Sequence, residues 1–577
     1  MKKWFVSAKR ADFQAIGRKF GIDPVIARII RNRDVVGEDA IEKYLHGSRK
    51  DFHDPHLLKD CQKAAEILKG KIRGQKKIRV IGDYDIDGVN ASYILYKGLQ
   101  RCGAWVDVEI PDRMRDGYGL NENLIRYAYE EGVDTILTCD NGIAAAEEIA
   151  GAKKLGMTVL ITDHHELQER LPAADAIVNP KQPDCPYPYK SLCGAAVAYK
   201  LIICLYEICE IPVEEADRFL EFAAMATVGD VMDLTGENRI LVKEGLKMIN
   251  HTKTPGLKAL IRVNGLEDTR ISSYHIGFVL GPCINASGRL DTAKRALKLL
   301  LAETSAEAEE LAYELKELND ERKAMTLDGF EKAVRLIEGS SLKEDKILVV
   351  YLSDCHESLA GIIAGRIRER YHKPVFVLTD AAEGLKGSGR SIEACNMFAE
   401  MCKCADLFTK FGGHPMAAGL SLPKENMEAF RKRINAGTAL SPDDFIPKIM
   451  IDVPMPIDYI TERLVEELTV LEPFGKGNAK PVFAEKNLNI LSARILGKNR
   501  NVIKMQALNP KGMVMDAMFF GDVEEFQAYI RAKFGRMEAE KLFQGRENAV
   551  TLSVTYYPDI NEFRGVRTLQ IVIQNYC

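Results

Sequence analysis

The feature that most constrains the fold of this chain is a series of short apolar runs that each end in acidic residues. The apolar runs are KIRVIGD, DTILTCD and MTVLITD. They alternate with amphipathic segments typical of helices, such as VNASYILYKGLQRCG and AAAEEIAGAKKLG. This alternation predicts an α/β fold, a doubly wound parallel sheet with helices packed on it. Because such sheets bind ligands at the carboxyl ends of their strands, we expect the acidic residues to lie together at that edge.

Three aspartates, Asp83, Asp85 and Asp87, follow the first run in GDYDIDG. Alternate residues of an extended loop project to one side, so the three carboxylates can converge on a hard cation. A single aspartate here has an ordinary explanation as a turn or N-cap residue. Three unpaired carboxylates at period two would repel one another, and a bound metal ion removes that cost.

Similar residues recur at three later points of the chain. Asp140 follows a strand in LTCDNGI, Asp163, His164 and His165 follow another in ITDHHE, and Asp230 lies in AAMATVGDVMDL. The imidazoles shift the expected metal from calcium toward Mn²⁺ or a related ion. The apolar flanks of Asp230 suggest a partly buried carboxylate, which needs a partner. Together these groups predict a metal centre.

The length of 577 residues suggests several domains. An Ala-, Glu-, Leu- and Lys-rich stretch without proline predicts one long helix that connects two lobes. The turns KGSGRS and FGGHPMAAG belong to a second α/β segment, and the alternation in VTLSVTYYP and TLQIVIQNY predicts a small β-barrel. The predicted divisions are a helical segment over 1–55, a first α/β domain over 56–300, the helix over 301–338, a second α/β domain over 339–445 and the barrel over 446–577.

Charge and composition narrow the class of protein. The net charge of −4 excludes coating of nucleic acid through bulk positive charge, so any nucleic-acid surface must be a local basic groove. The 13 cysteines are scattered, and no pattern predicts a disulfide framework or a zinc site. Neither a signal peptide nor a membrane span is predicted. We therefore expect a soluble cytoplasmic protein.

The motifs GDYDIDG, TCDNG, TDHHE and VGDVMD, in this order, resemble the four motifs of the DHH phosphoesterase family. INASGRLDTA, FGGHPMAAG and LEPFGKGNAKPVF are similar to motifs of its RecJ branch, the single-strand-specific DNA exonucleases. The resemblance runs from about residue 55 to the C-terminus. It implies a DHH catalytic domain, a DHHA1-like substrate-binding domain and a C-terminal OB-fold.

The resemblance also implies roles for the predicted metal centre. Two divalent ions, Mn²⁺ or Mg²⁺, would be ligated by Asp85, Asp87, Asp140, His164 and Asp230, with Asp140 bridging them. Asp83 would be a ligand or would support one, and His165 would support a ligand or contact the scissile phosphate. Asp140, His164 and His165 are therefore the expected catalytic residues.

Other motifs are expected to hold the nucleic acid. IPDRMRDGYGL places arginines before an aromatic residue, which suits phosphate contacts and base stacking, although a solvated loop would look the same. The substrate-binding residues that we predict, largely from the resemblance, are Arg113 and Tyr118, then Asn285, Ser287 and Arg289 as a phosphate nest, then Ser388, Arg390 and Ser391 for a 5′-terminal phosphate, and Gly412, Gly413 and His414 for the nucleotide.

Some positions depart from the family pattern or carry weaker signals. Cys283 stands where the RecJ branch usually has arginine, and Cys355 stands where tryptophan is typical, which leaves the role of His356 open. In the barrel, Lys498, Arg500 and Lys504 are candidate contacts for single strands.

The leading hypothesis is a 5′→3′ exonuclease on single-stranded DNA that releases 5′-mononucleotides in repair and recombination, with the polarity taken from the resemblance alone. An alternative is a phosphodiesterase that acts on short oligoribonucleotides or cyclic dinucleotides, and a third is a non-catalytic scaffold. The third domain argues against a small substrate, and the filled metal positions argue against a scaffold. The expected state is a monomer, with single-strand-binding protein and a helicase as partners.

Overall fold

The computed structural model describes residues 2–113, 119–497 and 499–577. These residues form two compact units. One unit is Asp51–Pro447, and the other joins Lys2–Lys50 to Lys448–Cys577. The N-terminal segment therefore belongs to the same unit as the C-terminal region, which the sequence analysis did not anticipate.

The described strands are β1 Lys3–Val6, β2 Ile78–Ile81, β3 Val106–Glu109, β4 Thr135–Cys139, β5 Thr158–Thr162, β6 Ala176–Val178, β7 Leu348–Tyr351, β8 Val375–Asp380, β9 Leu385–Arg390, β10 Lys410–His414, β11 Ala417–Leu422, β12 Lys448–Ile451, β13 Val453–Pro454, β14 Phe483–Leu496, β15 Val502–Leu508, β16 Val514–Phe520, β17 Thr551–Phe563 and β18 Val566–Tyr576.

The described α-helices are α1 Phe13–Phe20, α2 Pro24–Asn32, α3 Glu38–His46, α4 Cys61–Arg73, α5 Ile86–Arg101, α6 Glu122–Glu130, α7 Ala146–Lys154, α8 Gly194–Ile208, α9 Leu220–Gly229, α10 Gly236–Ile249, α11 Pro255–Val263, α12 Ser273–His275, α13 Gly281–Leu290, α14 Lys294–Leu301, α15 Ser305–Glu338, α16 Ala360–Tyr371, α17 Met397–Cys402, α18 Met427–Gly437, α19 Glu462–Glu467, α20 Val523–Phe534 and α21 Arg536–Gln544. A π-helical turn, Ile276–Leu280, joins α12 to α13.

The first sheet is parallel throughout, in the order β3-β2-β4-β5-β6. Strands β2, β4, β5 and β6 are buried because helices cover both faces of the sheet, whereas the edge strand β3 is partly exposed. Val80 and Leu137 pack in a core with α4, α5 and α8. Ile81 and Ile136 pack in a second core with α6 and α7. The predicted doubly wound sheet is confirmed.

Helix α15 confirms the long helix predicted from the proline-free stretch. It begins after Thr304, whose side chain accepts a hydrogen bond from the N–H of Glu307, an ordinary N-cap. Near its start, Ala308 and Leu315 belong to the core of the first domain. Near its end, Ala333 and Ile337 belong to a core of the second domain. One helix therefore joins the two lobes of this unit.

The second sheet has the order β10-β11-β9-β8-β7, and only β7 and β8 run parallel. The motifs KGSGRS and FGGHPMAAG, predicted to be turns, are mostly strands β9, β10 and β11. This prediction was wrong because the glycines serve packing. A Cβ at Gly389 would lie 2.6 Å from a ring carbon of Phe376, so only glycine fits that core position.

The other unit contains a barrel. Strands β14 to β18 close because β14 pairs with both β15 and β17, and β16 runs parallel to β18. This is the five-stranded topology of an OB-fold, as predicted. Ile29 and Tyr44 of the N-terminal helices share its core. No helix among the described residues is long and apolar enough to cross a bilayer.

Candidate metal centre and nucleotide-binding surface

The loop after β2 turns sharply into α5, and this turn brings its aspartates together. Asp85 is the N-cap of α5, and its Oδ1 accepts hydrogen bonds from the N–H groups of Asp87 at 2.9 Å and Gly88 at 3.1 Å. A Cβ at Gly88 would lie 2.4 Å from the backbone oxygen of Asp83. Glycine is needed there because the helix start folds back onto the aspartate that ends the strand.

Asp87 is held by a second helix N-terminus. Its Oδ2 accepts from the N–H of Gly194 at 2.6 Å, and its Oδ1 accepts from the N–H of Ala195 at 2.7 Å. These residues begin α8, whose first N–H groups have no acceptor within the helix and, together with the helix dipole, favour a negative charge. Each carboxylate oxygen has a second lone pair, so Asp87 can still ligate a cation.

Asp140 follows β4 in a left-handed backbone conformation, with φ of 59°. Its N–H donates to the backbone oxygen of Thr162 at 3.0 Å, which extends the pairing of β4 with β5 by one residue. The carboxylate is buried, with 2% of the residue exposed. The Asp140 side chain therefore lies at the edge of the sheet from which the loops after β2 and β5 also emerge.

Asp163 organises the two histidines that follow β5. Its Oδ1 accepts from the N–H groups of His164 at 2.7 Å and His165 at 3.1 Å, and also from His165 Nδ1 at 2.8 Å. Its Oδ2 accepts from the N–H of Ile143 at 2.9 Å. Asp163 is therefore occupied by protein donors and orients His165, which agrees with its omission from the predicted ligands.

The predicted ligands lie together. His164 Nε2 is 3.0 Å from Asp140 Oδ1, 3.5 Å from Asp87 Oδ2 and 3.7 Å from Asp230 Oδ2. The ligand atoms form groups whose members lie within 4.8 Å of one another, namely Asp87 with His164 and Asp230, Asp83 with Asp85 and Asp140, and Asp140 with His164 and His165. Asp140 is shared, which suits a bridge between two cations.

The charges at this site need a cation. Burial and the charge of Asp85 raise the pKa of Asp83 to about 8. Burial and neighbouring carboxylates, Asp87 first, raise the pKa of Asp140 well above its usual range. Among the described residues, Asp83 Oδ1 and His164 Nδ1 are buried and have no hydrogen-bond partner. Oxygen-rich groups with one imidazole suit Mn²⁺ or Mg²⁺, so the residues present fit two divalent ions.

The two histidines have different charge states. Burial lowers the pKa of His164, which favours the neutral imidazole that a metal ion requires. Burial also lowers the pKa of His165, but the hydrogen bond and charge of Asp163 outweigh this effect and raise it to about 9. His165 is therefore a cation at neutral pH, and its side chain is 44% exposed.

Arginines lie beside the carboxylates. The guanidinium of Arg113 lies 5.0 Å from the centre of the Tyr84 ring. Burial lowers the pKa of Arg289 to about 10, with further lowering by the charges of Arg113 and Arg322, while Asp85 opposes it. Like charges held this close are stabilised by an anion, and phosphate matches the arginine fork. Arg322, on α15, was not predicted, because its approach depends on packing between helices.

The phosphate nest predicted around Gly288 is wrong. Asn285, Ser287 and Arg289 lie in helix α13. Asn285 Oδ1 accepts from the N–H of Ile86 at 2.8 Å, so it braces the start of α5. The buried Ser287 hydroxyl donates to the backbone oxygen of Ile284. A Cβ at Gly288 would lie 2.2 Å from the backbone oxygen of Tyr84, so glycine lets this helix approach the aspartate loop.

Of these three residues, Arg289 faces the arginine cluster and also donates to the backbone oxygen of Ser358 at 2.8 Å.

Tyr118 of the predicted substrate loop lies outside the described residues, as does Lys498. In the barrel, Lys504 pairs with Asp516 at 2.7 Å, and Arg500 follows β14 with φ of 51°. Cys283 is buried. His356 Nδ1 lies 2.7 Å from Ser358 Oγ.

The second sheet presents an open face lined by small residues. Arg390, Ala417 and His414 are register partners across β9, β11 and β10, so they lie on one face. Ser388, Gly419 and Gly412 form the parallel row two residues away. Helix α16 covers part of this face over β8 and β9, where a Cβ at Gly361 would lie 2.8 Å from Nη2 of Arg390, and the face stays open over β10 and β11. A Cβ at Gly412 would meet nothing within 4 Å, so a ligand can approach the backbone.

Ser391 and Gly413 differ from their neighbours. Ser391 is buried, and its hydroxyl donates to the backbone oxygen of Cys395 at 2.7 Å. Gly413 has φ of 155°, and a Cβ there would lie 2.5 Å from the backbone oxygen of Ala417. These two residues therefore shape the strands, whereas Ser388, Arg390 and His414 lie on one face of the sheet, with Arg390 at the edge of α16 and His414 exposed.

The open face is electrostatically linked to the metal-site loop. The hydrogen bond from Lys181 lowers the pKa of Glu166, and the nearby His414 has a smaller effect in the same direction. Glu166 directly follows His165 in the chain, so His414 of β10 lies near the loop that carries the two histidines.

A further feature was not predicted from the sequence. Tyr274 and Phe278 stack with ring centroids 5.0 Å apart, and they are 61% and 70% exposed. Their segment packs against α9, since a Cβ at Gly277 would lie 3.7 Å from Val228. Val228 is two residues before Asp230. The signal in the sequence was the i, i+4 spacing of the aromatic residues, which brings side chains together only on a helix.

Models of known families match most of the chain. They are the N-terminal domain of the DHH family over residues 77–227, the DHHA1 domain over 344–438 and the RecJ OB domain over 451–575. The fold and the site define a metal-dependent DHH-family phosphoesterase.

Individual relatives narrow this class. The chain is 37% identical over 530 residues to the single-stranded-DNA-specific exonuclease RecJ of Bacillus subtilis, covering 91% of this chain and 66% of that one. It is 32% identical to the RecJ of Escherichia coli, covering 96% of each. The chain belongs to the RecJ family. A crystal structure of RecJ with Mn²⁺ from Thermus thermophilus superimposes with a TM-score of 0.81 at 27% identity, covering all of this chain and 79% of that one.

Proposed function

We propose that this protein is a metal-dependent exonuclease that degrades single-stranded DNA from its 5′ end and releases 5′-mononucleotides, in DNA repair and recombination. The observation that carries the proposal is the position of Asp140, which groups with Asp83 and Asp85 and also lies 3.0 Å from His164, the histidine that groups with Asp87 and Asp230. Arginines lie beside these ligands. The relatives in B. subtilis and E. coli are named single-stranded-DNA-specific exonucleases. The polarity and the 5′ product follow from the family resemblance.

The cofactor is two divalent ions, Mn²⁺ or Mg²⁺. Solved RecJ structures from T. thermophilus are described in complex with each of these ions. In this chain, one ion would be held by Asp83 and Asp85, and the other by Asp87, His164 and Asp230. Asp140 would contact both ions. Ions held by these residues would lower the pKa of a bound water and stabilise the charge that develops on the phosphate.

The cationic side chains of the first domain bind the scissile phosphate. Arg113 and Arg289 donate to its non-bridging oxygens, which relieves the repulsion between them. His165 is protonated and oriented through Nδ1 by Asp163. Its Nε2–H can therefore donate a proton to a phosphate oxygen or to the departing 3′-oxygen.

The open face of the second domain binds the terminal nucleotide. Arg390 and Ser388 hold the 5′-phosphate, and His414 lies across β11 from Arg390 against the nucleotide. Glycine and alanine between them let the sugar-phosphate approach the backbone. Attack at the next phosphodiester then releases a 5′-mononucleotide and leaves a new 5′-phosphate on the shortened strand.

Two features favour a long strand over a dinucleotide. The exposed Tyr274–Phe278 pair offers a stacking platform for bases beyond the scissile bond. The OB barrel offers a further surface for single strands. We also propose that the protein acts as a cytoplasmic monomer with single-strand-binding protein and a helicase.

Product analysis tests the proposal. Full-length protein with Mn²⁺ is given 5′-labelled single-stranded DNA, 3′-labelled single-stranded DNA, duplex DNA and a dinucleotide RNA, with EDTA as the control. We expect immediate release of labelled mononucleotide from the 5′-labelled strand, and a ladder of shortening products from the 3′-labelled one. Preferred hydrolysis of the dinucleotide would favour the small-substrate phosphodiesterase instead.

A further inference from the structure

Helix α8 carries two cysteines that each lie beside a cysteine of another helix. Cys204 is buried in the core of the first domain, and the Sγ–H of Cys61 donates to its Sγ at 3.3 Å. Cys61 is the first residue of α4. The two sulfurs come from positions 143 residues apart, so only the packing of α4 on α8 brings them together.

The second pair lies at the ends of two helices. Cys102 and Cys209 are the C-cap residues of α5 and α8. The two helices begin side by side, where the N–H of Gly194 contacts Asp87, and each cysteine lies 15 residues further along its helix. Burial raises the pKa of Cys102 to about 12, and the neighbouring Cys209 acts in the same direction. Both residues are partly exposed. Two dithiols therefore connect α8 to the helices that flank it.

Neither pair has a role in the proposed hydrolysis. The groups of described residues that can hold a metal ion consist of aspartates and histidines of the active centre and include no cysteine. Apposed thiols are not required for packing either, because a buried thiol behaves as a small apolar group. The short distance between the Cys61 and Cys204 sulfurs instead suits the formation of a disulfide bond when an oxidant is present.

We propose that Cys61–Cys204 and Cys102–Cys209 are sites of reversible oxidation, which hydroperoxides close into two disulfides that fasten α8 to α4 and α5. A disulfide needs an S–S separation of about 2.05 Å. The first pair at 3.3 Å reaches this distance through a small change in side-chain rotation. The oxidised protein therefore keeps the native packing.

The chemistry balances with a hydroperoxide as the oxidant. In the first pair, Cys204 is the attacking sulfur, because the Sγ–H of Cys61 donates to it at 3.3 Å and stabilises its thiolate. Its sulfur bonds to one peroxide oxygen, the O–O bond breaks, and the other oxygen leaves as water or an alcohol after taking a proton. The Cys61 sulfur then displaces the hydroxyl of the sulfenic acid, which leaves as water with the Cys61 proton.

The links leave the metal ligands in place. Gly194 and Ala195, which hold Asp87, lie at the opposite end of α8 from Cys204 and Cys209. Ten residues of helix separate Gly194 from Cys204, a distance of about 15 Å at 1.5 Å per residue. Closing the disulfides constrains the unfolded chain without moving the catalytic end of the helix. Oxidation should therefore raise thermal stability and spare hydrolysis.

The test uses the full-length, Mg²⁺-loaded protein with Cys402→Ser and Cys577→Ser, which remove two exposed thiols that could link molecules. The folded protein is treated with hydrogen peroxide, quenched, unfolded, alkylated and digested without reductant. We expect cross-linked peptides joining Cys61 to Cys204 and Cys102 to Cys209, each lighter by two hydrogens. The thermal midpoint should rise by several degrees, hydrolysis should be retained, and reductant should reverse the links.

Matched variants identify the pairs. Cys61→Ser should remove the first link and leave the second, whereas Cys395→Ser, at a buried cysteine elsewhere in this unit, should leave both. Recovery of other pairings, formation of the links only after unfolding, or oxidation of Cys204 beyond the sulfenic acid without a link would overturn the proposal.

Discussion

The backbone N–H of Gly194 donates a hydrogen bond of 2.6 Å to Oδ2 of Asp87, which precedes it by 107 residues. This contact joins the first residue of α8 to an aspartate of the metal centre. A Cβ at Gly194 would lie 2.7 Å from Cβ of Asp140 and 2.8 Å from its Oδ1. One glycine therefore orients one ligand and leaves room for another.

We expect Gly194→Ala to weaken Mn²⁺ binding because the new methyl group displaces Asp140 or withdraws the N–H from Asp87. Supporting contacts of metal ligands contribute about 10–100-fold to affinity, and overpacking costs about 1–3 kcal/mol of stability. Calorimetric titration with Mn²⁺ and thermal unfolding measure both effects. Gly151→Ala is the control, since a Cβ there meets nothing within 4 Å, and it should bind Mn²⁺ normally. Normal binding by Gly194→Ala would contradict this role.

Asp85→Asn should stabilise the metal-free protein. It removes one negative charge from a cluster in which burial and the charge of Asp87 raise the pKa of Asp85. The amide oxygen can still accept from the N–H groups that begin α5. We expect a higher thermal midpoint in EDTA, because one of the mutually repelling charges is removed. Calorimetry should also show that Mn²⁺ stabilises this variant less than the wild type. A lower thermal midpoint for Asp85→Asn than for the wild type in EDTA would contradict the repulsion between the carboxylates of the metal-free site.

Arg390→Ala should reduce discrimination for a 5′-phosphorylated end. A charge-assisted hydrogen bond contributes roughly 1.5–3 kcal/mol, so kcat/KM on 5′-phosphorylated DNA should fall by about 10–100-fold, and that on 5′-hydroxyl DNA should change little. Arg370→Ala, on the outer part of α16, should leave both rates unchanged. Equal rates of the wild type on both substrates would remove the basis for this assignment.

Phe278→Ala should raise KM for long single strands, because each stacked base contributes about 1–3 kcal/mol. The side chain is 70% exposed, so its loss should affect stability little. A substrate too short to reach the platform serves as the internal control, and its kcat should be unchanged. If both substrates lost activity equally, the stacked pair would act on the metal centre instead.

The fragment Asp51–Pro447 should fold alone, because it has its own cores. We expect it to hydrolyse short strands at nearly the full-length rate and to bind long strands more weakly, with a smaller dependence on salt. Binding measured at two salt concentrations, beside full-length protein, checks this. Equal loss on short and long strands would make the other unit a folding element.

Local periodicity explains which parts of the fold were predictable. The runs around Ile78 and Thr135 end in aspartates, and parallel strands necessarily bring their carboxyl ends to one edge, so the metal centre could be predicted. The long helix after Thr304 also has a local cause, since its composition and cap favour a helix without help from packing. The barrel was predictable from alternation, because period two is a property of each strand.

Two predictions based on glycine-rich motifs were wrong. Gly288 suggested a loop, but it lies in a helix, where it admits the backbone of Tyr84. Gly389 suggested a turn, but it lies in a strand, where it admits the ring of Phe376. Glycine permits a turn and also permits close packing, and only the neighbouring element distinguishes the two uses.

The sequence by itself determined the α/β class, the order of the metal ligands and the resemblance that predicts the substrate, because these depend on residue type and short-range period. Only the tertiary structure decided which groups act on each other across long separations. It placed Gly194 against Asp87, Arg322 near Arg289 and Cys61 beside Cys204. The physical reason is that such contacts arise from helix packing, in which burial of apolar faces selects the neighbours and the polar atoms follow.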